Sequence, residues 1–198
     1  MFEFNACQNC ANGGGAIAVE HTRLFIVSDS ILRHNDAPDC EGGAIWARYS
    51  QVIIKRSELR ENRAGYIGGA IKLYESTTTL TDNAMLNNYA GHFTSDCPDC
   101  GSDWCSEEFL CRGGAIAEEG QTNNVLDALT APTLVMRGNK FAGNKGVNGH
   151  DTYFTYTSPT KLTCPGSSCH SGSYGDCTVL REGKLSEAGC ASCSIGDW

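Results

Sequence analysis

CEGGAIWARYS, residues 40–50, contains the phrase Gly42-Gly43-Ala44-Ile45, which the chain uses three more times. The other copies are Gly14-Gly15-Ala16-Ile17, Gly68-Gly69-Ala70-Ile71 and Gly113-Gly114-Ala115-Ile116. Their first glycines are spaced by 28, 26 and 45 residues. A second phrase runs in register with the first, a large apolar residue followed three places later by Asn. It pairs Phe2 with Asn5, Leu32 with Asn35, Leu59 with Asn62, Met85 with Asn88 and Phe141 with Asn144. Self-similarity at a fixed period marks a chain built of stacked units. The irregularity is confined to two places, one insertion after Asn88 and another after Glu119.

The segments between the phrases are AIAVEHTRLFIVSDSIL, AIWARYSQVIIKRSEL and AIKLYESTTTLTDNAML. They are rich in Ile, Val, Thr and Tyr with partial period-2 alternation, which reads as strand. Leucine-rich repeats need a leucine ladder, and ankyrin or tetratricopeptide repeats need helical periodicity; neither pattern is present. The expected fold is all-β: a right-handed parallel β-helix of about four to five coils, with about three short strands per coil. Successive coils of such a stack lie roughly 4.8 Å apart, so equivalent residues touch. The two glycines then allow positive φ and close backbone approach at a tight turn. Ile17, Ile45, Ile71 and Ile116 form one internal column. Asn35, Asn62 and Asn88 form another at a turn, where Asn tolerates unusual φ and its amide bonds its stacked neighbour.

The chain has 198 residues, 40% of them hydrophobic and 19% charged, with a formal net charge of −8. It can bury a core, and its acidity argues against nucleic acid, whose binders cluster Lys and Arg. No apolar run approaches the roughly 20 residues that span a bilayer. Twelve cysteines point to an oxidising compartment. The opening MFEFNACQNC lacks the features of a signal peptide, which fits a segment of a larger secreted chain. Because FEFN already ends a coil, upstream coils are expected to be missing or supplied by another chain.

The cysteines form three groups. Cys7, Cys10 and Cys40 precede glycine phrases. Cys97, Cys100, Cys105 and Cys111 lie in an insertion spanning about residues 89–112. Cys164, Cys169, Cys177, Cys190 and Cys193 lie in the tail. Disulfides are the default for all twelve, with no metal and no cofactor expected; Cys10 and Cys40 stand at similar positions in neighbouring coils. Zinc at CPDCG is the competing reading, disfavoured by the wrong spacing of Cys105 and Cys111. The solenoid is expected over residues 1–157 and a Cys-rich module over 158–198. The module is too short of aliphatics to fold without staples.

The paired GGA[I/L] and F-x-x-N phrases resemble the repeats of chlamydial polymorphic outer-membrane proteins and of related surface proteins of algae and other protists. The resemblance covers about residues 2–151; the last coil carries VNGHDTYF where GGAI would fall. It implies a secreted, surface-exposed, adhesive or structural protein without a catalytic set to carry over. The ending GCASCSIGDW is similar to the C-x-x-C-x-x-G endings of extracellular modules of the ephrin-receptor or EGF-like kind.

Alternation along the strands places Ala18, Trp46, Lys72 and Ala117 outward, and beyond them Glu20, Arg48, Tyr74 and Glu119. Trp46 and Tyr74 are candidates for stacking on sugar rings; Arg48, Lys72, Glu20 and Glu119 are candidates for binding uronates or for acid–base work. Against this stand the solvated, mixed-charge outer faces ordinary in solenoids, and the absence of paired aspartates on successive coils. Of the five histidines, His21, His92 and His170 have no acidic or nucleophilic partner at a mechanistic spacing, His34 reads as a solvated turn residue, and His150-Asp151 as a turn element rather than a dyad. The expected role is therefore an extracellular structural or adhesive segment of a surface or filament assembly. Its partners would be proteins, by self-assembly or from neighbouring chains, or surface glycans. A carbohydrate-active or carbohydrate-binding β-helix is the alternative.

Overall fold

A period near 27 residues must close on itself if equivalent residues are to stack, and the chain closes it with four strands per turn. The computed structural model describes residues 1–7, 13–91, 113–120 and 134–146, and the backbone of strands Thr152–Tyr156, Lys161–Ser168 and Tyr174–Leu180. The stack opens with β1 (Phe2–Glu3). The first full coil holds β2 (Ile17–Glu20), β3 (Phe25–Ser28), β4 (Ile31–Arg33) and β5 (Asp36–Ala37). The second holds β6 (Ile45–Arg48), β7 (Gln51–Lys55), β8 (Glu58–Arg60) and β9 (Arg63–Ala64). The third holds β10 (Ile71–Tyr74), β11 (Thr77–Thr81), β12 (Ala84–Leu86) and β13 (Tyr89–Ala90). The fourth holds β14 (Ile116–Gly120), β15 (Leu134–Arg137), β16 (Lys140–Ala142) and β17 (Lys145–Gly146). β18 (Thr152–Tyr156), β19 (Lys161–Ser168) and β20 (Tyr174–Leu180) follow.

Equivalent strands pair in parallel to build sheets ordered β1-β4-β8-β12-β16, β18-β14-β10-β6-β2, β20-β19-β15-β11-β7-β3 and β17-β13-β9-β5. The molecule is thus an all-strand solenoid, with no helix among the described residues. The expected three strands per coil become four, because a two-residue strand separates the Asn corner from the glycine turn. Both insertions leave the register intact: Ile71 pairs with Ile116 across 45 residues, and Met85 with Phe141 across 56. β19 joins the stack beside β15, and β20 turns back antiparallel to it, setting Cys164 opposite Cys177. Both strands fall in the segment that the sequence assigns to the Cys-rich module.

Each coil sends one residue of every pair inward. Ile45, Ile71 and Ile116 stack fully buried, as do Leu32, Leu59 and Met85 in the next column and Ile54 and Leu80 in a third. The two glycines of each phrase have separate jobs. Gly42, Gly68 and Gly113 have φ of 67°, 68° and 64°, a region costly for a side chain. The second glycine faces the coil below. A Cβ on Gly15, Gly43 or Gly69 would collide with the carbonyl of Gly43, Gly69 or Gly114 respectively. Glycine is therefore stacked on glycine because nothing larger fits between the backbones.

The Asn column is continuous from Asn5 through Asn35, Asn62 and Asn88 to Asn144, each Nδ2 donating to the next Oδ1 at 2.9 Å. The same Oδ1 also accepts the backbone N–H of the Asn above it. The second Nδ2 proton goes to a main-chain carbonyl of the preceding coil, from Asn62 to Leu32 and from Asn88 to Leu59. Every polar valence of the buried side chain is used. The positive φ expected at these asparagines lies one residue earlier, at Phe4, His34, Glu61 and Asn87.

Two further ladders have the same construction. Thr22, Ser50 and Ser76 form one, each backbone N–H donating to the next hydroxyl. Ser30, Ser57, Asn83 and Asn139 form the other. Each again follows a left-handed residue: His21, Tyr49 and Glu75 in the first, Asp29, Arg56, Asp82 and Gly138 in the second. A left-handed non-glycine costs about 1 kcal/mol, and the hydrogen bonds that it turns inward offset it.

Replacing Asn62 by Leu removes the shared acceptor of Asn35 N–H and Nδ2 and the Nδ2 donor to Leu32 O and Asn88 Oδ1, leaving Asn88 Oδ1 only the backbone N–H of residue 62. Urea unfolding is expected to show a loss of about 3 kcal/mol. Asn5→Leu, at the exposed end of the ladder, should cost less than about 1 kcal/mol. Equal losses at both positions would rule out a cooperative ladder.

Candidate functional site

The sheet that begins with the GGAI strands sets the candidate residues in two rows. Ala18, Trp46, Lys72 and Ala117 are register neighbours, and so are Glu20, Arg48, Tyr74 and Glu119. The first row points away from the core, yet beyond the exposed Ala18 it is not solvated. Trp46 is 4% exposed and Lys72 fully buried. The expectation of an open outer row is corrected here, and the cause is the glycine turn. A Cβ on Gly42 would stand 3.2 Å from the Cβ of Lys72, so the turn of one coil lies over the next strand. Ile67, from the turn ahead of β10, packs with Ala117 and Tyr66 in a small apolar cluster of its own.

Lys72 is held by acids from two other coils. Its Nζ lies 2.6 Å from Oε2 of Glu119 and 3.9 Å from Oε2 of Glu41, with 1% of its side chain exposed. The close contact pairs charges without an aligned hydrogen bond. Burial pushes the Glu41 carboxyl above its ordinary value; the Lys72 ammonium and a hydrogen bond from Trp46 only partly oppose this. Chemically the group is an enclosed ion cluster joining the turn before β6 to β10 and β14. An ammonium so enclosed cannot meet a polymer lying on the face, and Trp46 has no ring face to offer a sugar. Next to Glu119 along the strand, Glu118 stands fully buried, in register with the column of Val19, Ala47 and Leu73 on one side and with Phe154 on the other.

The second row is half-exposed and gathers two residues that sequence reasoning missed. Arg48 Nη1 lies 3.5 Å from Glu20 Oε1, and its guanidinium sits over the rings of Tyr49 and Tyr74 at 4.8 and 5.1 Å. His21 stacks on Tyr49 with centroids 5.0 Å apart, and Tyr74 meets Tyr49 edge-on at 5.6 Å. His21 and Tyr49 are the left-handed corner residues of successive coils, and such residues project outward one above another. Their position just ahead of Thr22 and Ser50 was the available signal. The Tyr49 ring is engaged by the cluster itself, which makes it a poor platform for a sugar.

A separate depression of about 470 Å³ lies at the Asn corner, lined in part by His34, Glu61, Arg63, Tyr89 and Lys145. His34 Nε2 and Glu61 Oε2 are 2.9 Å apart there, and Phe4 stacks on His34. The signs are mixed, with no run of like charge to select an ion.

Cys7 and Cys40 are each disulfide-bonded. The side chains of the other ten cysteines, and His92, His150 and His170, lie outside the described residues, as does the zinc reading of the insertion. Among the described residues no group of three or more His, Cys, Asp or Glu is placed to hold a metal ion. No family profile matches the sequence, and no curated protein or solved structure matches it either.

Lys72→Met is expected to lower stability by about 3 kcal/mol, the cost of leaving two partly buried acids without their cation. Adding Glu119→Gln should restore at least half of the loss, read as the urea midpoint of single and double variants. Full tolerance of Lys72→Met would mean that the cluster carries no structural load.

Proposed function

We propose that this chain is a segment of a right-handed parallel β-helix serving as an extracellular structural or adhesive scaffold in a surface or filament assembly, with a small Cys-rich module at its C-terminal end. The right-handed sense is the one taken by nearly all crossovers between parallel strands. The observation that carries the scaffold reading is the way the interior is spent. Among the described residues three polar ladders and the apolar columns fill the interior from coil to coil, the depression at the Asn corner is lined by mixed charges, and the best charged candidates on the outer face neutralise one another. Twelve cysteines support an oxidising location. The bonded state of Cys7 and Cys40 points the same way. So does the likeness of the repeat to those of bacterial and protist surface proteins. A long, regular exterior suits contact with other proteins of a surface layer, whereas contact with surface glycans belongs to the carbohydrate-binding alternative.

Secreted material tested together for free thiols and for glycan contact checks this reading. The expected outcome is no titratable thiol among the twelve cysteines before reduction, no uronate release, and no saturable binding on a glycan array. Free thiols in soluble, folded protein would remove the extracellular placement. Saturable glycan binding that Arg48→Ala or Tyr74→Ala abolishes would replace the scaffold by the carbohydrate-binding alternative.

A further inference from the structure

The end of the stack formed by β1, β2 and β3 differs from the interior in three ways that share one direction. First, the ladders end there in acceptors. Asn5 donates its backbone N–H and Nδ2 to Asn35, but among the described residues nothing donates to its Oδ1. Thr22 and Ser30 likewise donate their N–H groups onward, to Ser50 and Ser57, and among the described residues no N–H from above reaches their hydroxyl oxygens. Second, the strands pair on one side only, each being terminal in its sheet. Third, the apolar columns emerge there. Phe2 is 41% exposed, whereas Leu32, Leu59 and Met85 beneath it are fully buried. Ile17 and Phe25 are half-buried where Ile45 and Val52 are sealed.

We infer that this face is an interaction surface for one further coil of the same repeat, laid in the same direction as the coils beneath it. The polarity of the ladders selects that occupant. A coil in the same sense presents the N–H and Nδ2 of its Asn, and the N–H groups of its two Ser or Thr corners, to the three waiting acceptors. A second copy docked face to face would set Oδ1 against Oδ1, acceptor on acceptor, and is disfavoured. The contact continues the existing stacking interface, so the affinity comes from edge-strand pairing, with register chosen by the ladders. The inference rests on the solenoid scaffold reading and is independent of compartment or glycan.

The register defines the probe. Phe2 pairs with Leu32, so Met1 occupies the position of Ile31. A copy of residues 31–57, with its cysteine changed to Ser, is joined ahead of Met1; its Asn35, Ser50 and Ser57 then overlie Asn5, Thr22 and Ser30. A scrambled extension of equal composition is the control. The repeat extension should raise the thermal midpoint by roughly 5 °C or more and resist limited proteolysis as far as the body does. The scrambled one should do neither. A repeat extension trimmed back to Met1 as fast as the scrambled one, with no gain in midpoint, would overturn the inference. It would leave the thiol and glycan results of the scaffold reading untouched.

Discussion

The stacked asparagine amide is the interaction on which the rest of this structure depends. A primary amide has two donors on one side and an acceptor on the other, so a column of them closes only if every coil arrives at the same height and in the same direction. Each buried Asn also takes up main-chain groups that a corner would otherwise leave bare. An error in one coil would orphan polar atoms in three. That penalty, about 1–3 kcal/mol for each buried group, fixes register more firmly than aliphatic contacts, which tolerate sliding.

Two other features follow from the same constraint. To bring Asn, Ser or Thr inward at a corner, the residue before it must turn left-handed. Ten non-glycine residues with positive φ among the described residues all stand at three corners of the coil. Their side chains are thrown outward, where they form exterior columns such as Asp29 with Arg56, bonded twice at 2.7 and 2.6 Å. At the remaining corner the chain needs a close approach to its own next turn, and a glycine pair supplies it. The interior dictates the path, and the exterior is decorated as a consequence.

Much of this was legible in the residues. The GGAI and x-x-N phrases recur because their positions admit almost no other side chain, so the coil count, the Ile column and the Asn column could all be read off. The Ser30–Ser57–Asn83–Asn139 ladder was not, since hydroxyl and amide serve there interchangeably and leave no constant letter. The left-handed corners were hidden for the opposite reason: backbone geometry selects them, and His21, Tyr49 and Glu75 share no chemistry. Alternation aligned Trp46 with Lys72 and Arg48 with Tyr74 as the register shows. It could not report that a glycine turn covers the first pair, because burial there comes from residues outside the strand.

Charges that looked available for chemistry are used to tie coils together, and the aromatic residues of the outer corner are engaged with one another. The direct test of the central claim is hydrogen exchange of the asparagine side-chain amides, followed by NMR in the native protein. The account predicts that Nδ2 protons of Asn35, Asn62 and Asn88 exchange only through global unfolding, as slowly as the central strand amides, while those of Asn5 exchange fast. Rapid exchange at Asn62, with the strand amides still protected, would contradict it.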